Sequence, residues 1–497
     1  MMSEKNEPPA ELSIPAEDWE QAPASVRVVV LALWQQVQEI EKLRAKVAEL
    51  EEQLHRNSRN SSQPPSSDRP DQQEPKSEEK KTGRKRGGQQ GHKGHQRRLV
   101  PVEEIDEVVG CKPTHCARCG AELKGEDPAP YRYQQVELPP VKPHVTEYQI
   151  SRLTCPCCGE VNKGALPPEA AASMFGPNLT ALIVILMGVF RLSKRKVTVL
   201  LKECFDVDLA PGSVVNLQNA ASAALAEPVE EAHAYVEAQP ARNIDETGWR
   251  QGDQDKKGWL WVVVTPLVTV FEVALSRAGQ VAKDLLGEDS DGVVGSDRYS
   301  GYTWLKKRKW QVCWAHLVRD FQKMLERGGA SYPIGANLRL QGEYLLVMWA
   351  RVRDGTLLYE DFFAELPAIQ AAVRHWLTEG IACNHAKTAE TCRNILQLDA
   401  ALWTFAYHAH VEPTNNSAER ALRHAVIWRR TSYGTQSDAG SRFVERILTT
   451  VETCRQQGTN SLDFVRRAVI AHRSGQSAPS LLPASLSNDW GIQFVTP

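Results

Sequence analysis

Apolar residues recur every seven positions near the start of the chain. Val26, Leu33, Ile40, Val47 and Leu54 form one seam. Val29, Leu43 and Leu50 fill most of a second seam three residues later, with Gln36 as the polar exception. Glu and Lys lie between the seams in "QEIEKLRAKVAELEEQL". Four heptads with both seams mostly apolar predict a coiled coil of the leucine-zipper kind. A helix of this length is marginal alone, so a partner helix is expected. An amphipathic helix packed on its own protein is the competing reading.

After residue 56 the periodicity stops. "NSRNSSQPPSSDRPDQQEPKSEEKK" is rich in Ser, Pro and charge and reads as a disordered linker. It runs into "KKTGRKRGGQQGHKGHQRR" (80–98), which holds eight Lys and Arg and no acid. A Gly-rich basic stretch of this kind is unstructured when free. Arg84, Lys85, Arg86, Lys93, Arg97 and Arg98 are its candidates for neutralising DNA phosphates, against the reading of a plain solvated linker.

Helical periodicity returns over 172–237, in two apolar segments broken near Ser193 and a third after Pro211-Gly212. A helix-turn-helix is one reading of this region, and a purely structural helix pair is the other. From residue 241 the period changes to that of strands: "RNIDETGW", "GWLWVVVT" and "VTVFEVAL", with turn residues between them. A helix-like "AGQVAKDLLGE" follows, then a short strand ending at Asp297, a basic strand-helix stretch and about ninety mostly helical residues. Asn415 or Asn416 reads as an N-cap, which places Glu419 within the first turn or so of a late helix.

The 497 residues allow about three domains with sizeable cores. A net charge of −2 decides nothing about nucleic acid, so the local basic block matters more than the total. The longest apolar run, "LTALIVILMGVF", is short of the roughly 20 residues that cross a bilayer. With no signal-peptide pattern, a cytoplasmic protein without membrane contact is expected. Eleven cysteines, an odd number, speak against a disulfide framework.

Six of those cysteines fall within 111–158. Cys116-Ala-Arg-Cys119-Gly and Cys155-Pro-Cys157-Cys158-Gly are two Cys-x-x-Cys knuckles, each closed by Gly and separated by 35 residues. Zinc takes four thiolates in a tetrahedron, and each knuckle offers two from one turn. Strand-like "YRYQQVELP" and "HVTEYQISRLT" between them suggest a hairpin that brings Cys116, Cys119, Cys155 and Cys158 around one Zn2+ as a zinc ribbon. Cys111 and Cys157 are surplus, and either could replace a ligand.

Asp245, Asp297 and Glu419 come from three elements whose order lets them converge on one sheet edge. Crowded carboxylates repel unless cations sit among them. Mg2+ (or Mn2+) takes oxygen ligands and leaves room for a substrate phosphate, and a pair of ions can clamp both oxygens of a phosphoryl displacement. Glu246, beside Asp245 on the strand, points to the opposite face and reads as a surface position or a support.

Taken with "GRKRGGQQGHKGH", the paired Cys-x-x-Cys, "NIDETGW", "GSDRYSGY", "CWAHLVRDF" and "NNSAERALR", in that order over nearly the whole chain, these features make the sequence resemble a DDE transposase of an insertion sequence. More narrowly, it is similar to the large transposase of the insertion-sequence-sixty-six family. The resemblance implies Asp245, Asp297 and Glu419 as the catalytic, metal-binding triad. It also implies a helical insertion in the 122-residue gap before Glu419, DNA transposition by end cleavage and strand joining, and small accessory proteins of the same element as partners. The expected fold class is multidomain α+β. It comprises a coiled coil (20–56), a disordered basic linker (57–100), a zinc-ribbon DNA-binding domain (101–170) and a helical domain (171–238). A ribonuclease-H-like α/β catalytic domain (239–455) with a helical insertion at about 328–410 and a C-terminal tail (456–497) complete it.

His316 and Arg319 are further candidates near the active site, against the reading of an ordinary helix start. Arg420 and Arg423 share a helical face with DNA phosphates in reach, and Arg429 and Arg430 follow them. Trp249 reads as packing rather than base stacking. A tyrosine recombinase using Tyr433 leaves Asp245 and Asp297 without a task. A coiled-coil zinc-ribbon DNA-binding regulator leaves half the chain without one, and a ribonuclease-H-like nuclease is the third alternative.

Overall fold

The computed structural model describes residues 12, 14–55, 61, 63, 98–252, 257–288 and 291–483. The basic-arm residues Arg84, Lys85, Arg86, Lys93 and Arg97 lie outside them, and Arg98 is described and exposed.

In chain order, α1 (Ala16–Gln21) and α2 (Ala24–His55) come first. The cysteine segment holds β1 (Arg152–Thr154) and β2 (Val161–Lys163). Then come α3 (Pro168–Ala172), α4 (Pro177–Gly188), α5 (Lys194–Phe205), α6 (Pro211–Ala224) and α7 (Ala226–Glu237). The next stretch is β3 (Ala241–Arg250), β4 (Lys257–Val264), β5 (Thr269–Ala274), α8 (Gly279–Leu286), β6 (Val293–Ser296) and β7 (Trp310–Val312). It is followed by α9 (Trp314–Glu326), α10 (Ser331–Arg353), α11 (Tyr359–Ala382), α12 (Ala386–Leu396) and α13 (Asp399–Leu402). Last are α14 (Asn416–Ser432), α15 (Asp438–Gln456) and α16 (Ser461–Arg473). The chain divides into two bodies, one of residues 73–166 and 192–215, the other of 1–72, 167–191 and 216–497.

In the larger body a five-stranded sheet has the order β5-β4-β3-β6-β7. β3, β4 and β5 are antiparallel neighbours, and β6 and β7 run parallel to β3. The run "LWVVV" of β4 is buried throughout, which fits a central strand covered on both faces. β5 is the edge strand, and α15 covers that edge. Thr453 Oγ1, Thr449 Oγ1 and Glu445 Oε1 accept the backbone N–H groups of Thr269, Phe271 and Val273 at 3.1, 3.0 and 2.9 Å. Four residues along a helix advance about 6 Å and two along a strand about 7 Å, so every second edge amide meets one turn of α15.

Helix α14 packs against β3 and β4. Helices α9 to α12 pack one on the next as a helical block between β7 and α14. Residues 461–473, read from sequence as part of a tail, form α16 against α4. Helix α2 leaves Val26, Val29, Leu33, Ile40, Leu43, Val47 and Leu50 each about half exposed, so the described residues do not cover its apolar seams.

In the smaller body only the ends of the expected hairpin form. β1 pairs with β2 across the second knuckle, and one bridge, His115 to Glu122, closes the first. Residues 131–139 and 144–151 form no strand, contrary to the strands expected there.

Candidate functional site

Strand register brings two of the acids level. Asn243 of β3 pairs with Gly295 of β6, in parallel, and both chains run on two residues to Asp245 and Asp297. Neighbouring strands lie about 4.8 Å apart, so two carboxylates at one level on adjacent strands are forced together. Asp297 stands just past the end of β6, where its Oδ1 accepts the N–H of Tyr299 at 2.9 Å. Asp245 Oδ1 accepts the N–H of Glu246 at 2.9 Å.

Glu419 comes from the first turn of α14, where the positive end of the helix dipole favours a carboxylate. Its Oε1 lies 3.5 Å from Arg319 and 3.5 Å from His316 Nδ1. Burial pushes the Asp245 carboxyl well above the usual carboxylate range, and the charges of Glu246, Asp297 and Glu419 push the same way. Burial also raises Asp297, against the pull of the Tyr299 N–H and of Arg277 and Arg298. The three acids read from sequence therefore share one electrostatic environment.

Asn415 explains how three elements stay in register. It is fully buried, and its side chain does not cap α14 as the sequence suggests. Instead its amide donates to the Ile244 carbonyl at 2.8 Å, and its carbonyl accepts from Asn243 at 2.9 Å. Its backbone N–H meets Cys313 Sγ at 3.1 Å, while the Cys313 N–H continues the ladder to the carbonyl of Ser296 at 2.9 Å. Residues 244, 296 and 415, each close in sequence to one acid, are thus joined around Cys313. Neither Asn415 nor Cys313 was singled out from sequence for this role, since a buried polar residue outside any helix or strand leaves no periodic signal.

Glu246 does point away from Asp245, but it is not a surface residue. Its carboxylate is buried, bound by Arg277 at 2.6 Å and by the Tyr302 hydroxyl. The Arg277 guanidinium in turn lies over the Tyr299 ring at 3.8 Å and the Trp259 ring at 4.7 Å. Tyr299 is the residue whose N–H holds Asp297, so Glu246 acts on the site through Arg277 and Tyr299.

His316 and Arg319 lie on α9, facing α14. Burial, then the Arg319 charge, lower the His316 pKa to about 4, so its imidazole is neutral near pH 7. On α14, Asn416, Arg420, Arg423, Ile427 and Arg430 form the exposed stripe. Arg429 turns inward and donates to Thr247 Oγ1 at 3.1 Å, so it is a packing residue. Trp249 is buried against Trp428, with its indole N–H on Thr435 Oγ1 at 3.2 Å. A cleft of about 530 Å³ that begins at Arg298, the residue after Asp297, is lined by four basic side chains (Arg298, Lys323, Arg327 and Lys387), two acids (Asp320 and Glu326) and Thr391.

Each cysteine knuckle is a tight turn. The Gly120 N–H reaches the Cys116 carbonyl and the Gly159 N–H the Cys155 carbonyl, both at 2.9 Å, and both glycines take positive φ. Backbone N–H groups of Arg118 and Cys119 lower the pKa of Cys116, and those of Cys158 and Cys157 lower that of Cys155. Turn amides that favour thiolate suit a zinc ligand set. The two thiol pairs do not meet: among the described residues the one group of three ligand atoms within 4.8 Å of each other is Cys313, His316 and Glu419.

Two segments of the chain match family models of one kind of protein. Residues 172–442 match the model described as Transposase IS66 family, and residues 113–159 match the zinc-finger binding domain of transposase IS66. The knuckle-bearing segment and the α/β domain with its clustered acids thus both match domains described for one transposase family. The larger match covers more than half of the chain, which belongs to the IS66 transposase family. Residues 7–98 match a family of unknown function, DUF6444. Two proteins of Sinorhizobium fredii (strain NBRC 101917 / NGR234) are similar. "Uncharacterized protein y4qI" is 26% identical over 45% of this chain and 46% of its own length. "Uncharacterized protein y4hP" is 24% identical over 71% of this chain and 69% of its own. The chain thus spans about half the length of the first of these. Among the described residues no helix is long and apolar enough to cross a membrane.

Proposed function

We propose that this chain is a DDE transposase with a ribonuclease-H-like catalytic domain, cutting the ends of an insertion sequence and joining the freed 3′-hydroxyls to target DNA. The sheet order β5-β4-β3-β6-β7, three antiparallel strands and then two parallel ones, supports that fold. The observation that carries the function is the strand register that sets Asp245 and Asp297 level on β3 and the end of β6, with the Asp245 carboxyl raised by burial and by Glu246, Asp297 and Glu419. Such crowding fits a cation site. Asp245, Asp297 and Glu419 would hold divalent ions, Mg2+ or Mn2+, which when bound supply the activated oxygen and the charge neutralisation of phosphoryl transfer.

The remaining residues position and balance. Arg319 offsets the charge of Glu419 and stands where a DNA phosphate approaches. Arg298, Lys323, Arg327 and Lys387 outnumber Asp320 and Glu326 in the cleft that begins beside Asp297, an excess of positive charge that suits the DNA backbone. Arg420 and Arg423, on the exposed stripe of the helix that carries Glu419, extend it. Arg98 and the basic arm before it add phosphate contacts without sequence information. The cysteine domain, with Zn2+ on Cys116, Cys119, Cys155 and Cys158, contributes to recognition of the element's ends. A second copy of α2 would cover the exposed seams of the first and make the protein a homo-oligomer. Small accessory proteins of the same element and a cytoplasmic location complete the reading.

The test is cleavage and strand transfer on DNA carrying the element's ends, with and without Mg2+. Joined products support the proposal. Binding without nicking would leave a DNA-binding regulator, and nicking without joining a nuclease.

A further inference from the structure

We infer that His316 is a direct ligand, through Nδ1, of an ion shared with Glu419, so that the site carries a nitrogen donor beside its three carboxylates. This rests on the metal-dependent reading above and adds a ligand to it.

The first ground is proximity. His316 Nδ1, Glu419 Oε1 and Cys313 Sγ all lie within 4.8 Å of one another. The second is an unmet requirement. Nδ1 is buried and has no hydrogen-bond partner. Glu419 Oε1 lies 3.5 Å from it, too long for a hydrogen bond. A buried polar atom without a partner costs about 1–3 kcal/mol, so such atoms are rare unless something else engages them.

The spacing suggests what engages this one. Mg2+ and Mn2+ take octahedral ligands at about 2.1 Å. Two adjacent donors are then about 3.0 Å apart, so the 3.5 Å between Nδ1 and Oε1 leaves an ion only about half an ångström of closure to make. The chemistry agrees: with its proton on Nε2, a neutral imidazole presents the Nδ1 lone pair to the carboxylate and is repelled by it, and a cation between the two removes that repulsion.

Cys313 is the support and not a ligand: its sulfur is engaged by the Asn415 N–H at 3.1 Å. Cys313 sits one residue before α9, so it fixes where the helix carrying His316 begins. A nitrogen donor at this position shifts preference from Mg2+ toward Mn2+ and other transition ions.

Pulsed electron paramagnetic resonance of Mn2+ bound to the full-length protein tests this directly. The expected wild-type spectrum shows coupling to an imidazole nitrogen. In His316→Ala that coupling disappears and Mn2+ binds tenfold or more weakly. In His316→Asn, whose side-chain amide reaches toward the position of Nδ1, binding recovers in part without the nitrogen signal. Circular dichroism and the zinc content of each variant confirm that it is folded. Bound Mn2+ with no nitrogen coupling in the wild type, or a coupling that survives His316→Ala, would overturn the inference and leave the three carboxylates standing. A wild type that binds no Mn2+ at all would overturn the metal-dependent reading and this inference together.

Discussion

The side-chain amide of Asn415 donates a 2.8 Å hydrogen bond to the carbonyl of Ile244, so the residue before α14 is tied to the residue before Asp245. The same side chain accepts from Asn243, and its backbone N–H meets Cys313. One buried amide therefore sets the distance between the strand that carries Asp245 and the helix that carries Glu419. Asn415→Ala leaves the Ile244 carbonyl and the Asn243 amide without that partner, at a cost of about 1–3 kcal/mol. The expected result is a folded protein with a lower midpoint in urea and DNA cleavage reduced at least tenfold, while DNA affinity holds. Cleavage at wild-type rates in this variant would show that the clamp has no bearing on the site.

On the other face of β3 the buried Glu246 carboxylate pairs with Arg277, which is about a third exposed, so removing Arg277 strands a buried charge while removing Glu246 does not. Arg277→Ala should cost about 3 kcal/mol, Glu246→Ala less, and the double variant less than the sum. Denaturant unfolding of the four proteins measures the coupling. A coupling near zero would mean that the pair is not formed in solution.

Stability should also depend on pH through Glu272 and Glu445, which face each other away from the acids of the site. Burial and Glu445 raise the pKa of Glu272, and burial raises that of Glu445. A carboxyl with a raised native pKa keeps its proton longer in the folded state than in the unfolded chain. Its contribution is therefore favourable below the unfolded value near 4.5 and is lost as pH rises toward the native value. Glu272→Gln should raise the melting temperature at pH 7 and flatten its fall between pH 4.5 and 7. An unchanged slope would count against the raised pKa.

The knuckles make a chemical prediction. Cys119→Ser or Cys158→Ser should lower zinc content by about one ion per chain and weaken binding to the element's ends, while the α/β body keeps its unfolding transition. Elemental analysis of purified protein decides it, and equal zinc in variant and wild type would contradict the assignment.

Much of this was legible in the sequence because it rests on periodicity and spacing. The strands of 241–274 are runs of β-branched and aromatic residues bounded by turns, the knuckles repeat at Cys-x-x-Cys, and pattern places Asp245 on the first of those strands, Asp297 at the end of a short one and Glu419 in the first turn of a helix. What was hidden depends on tertiary partners. Strand geometry separates Glu246 from Asp245, but only Arg277 and Tyr302, far along the chain, make burial of that carboxylate tolerable. Arg429 belongs to a run of arginines and is turned inward by the carbonyl of Gly248 and Thr247. The segments 131–139 and 144–154 have strand-like composition, yet an isolated hairpin has little apolar surface to bury, and pairing survives only beside the second knuckle.

The central claim is that three carboxylates from β3, the end of β6 and α14 form one cation-dependent centre for DNA cutting and joining. Its most direct test is strand cleavage and transfer by wild type, Asp245→Asn, Asp297→Asn and Glu419→Gln on DNA with both ends of the element, in Mg2+ or Mn2+. The account predicts joined products from the wild type only when the divalent ion is present. Each variant should bind the ends normally and lose cleavage by about 10³-fold or more, roughly 4 kcal/mol of barrier. Normal cleavage by any one of the three variants, or by the wild type in chelator, would contradict it.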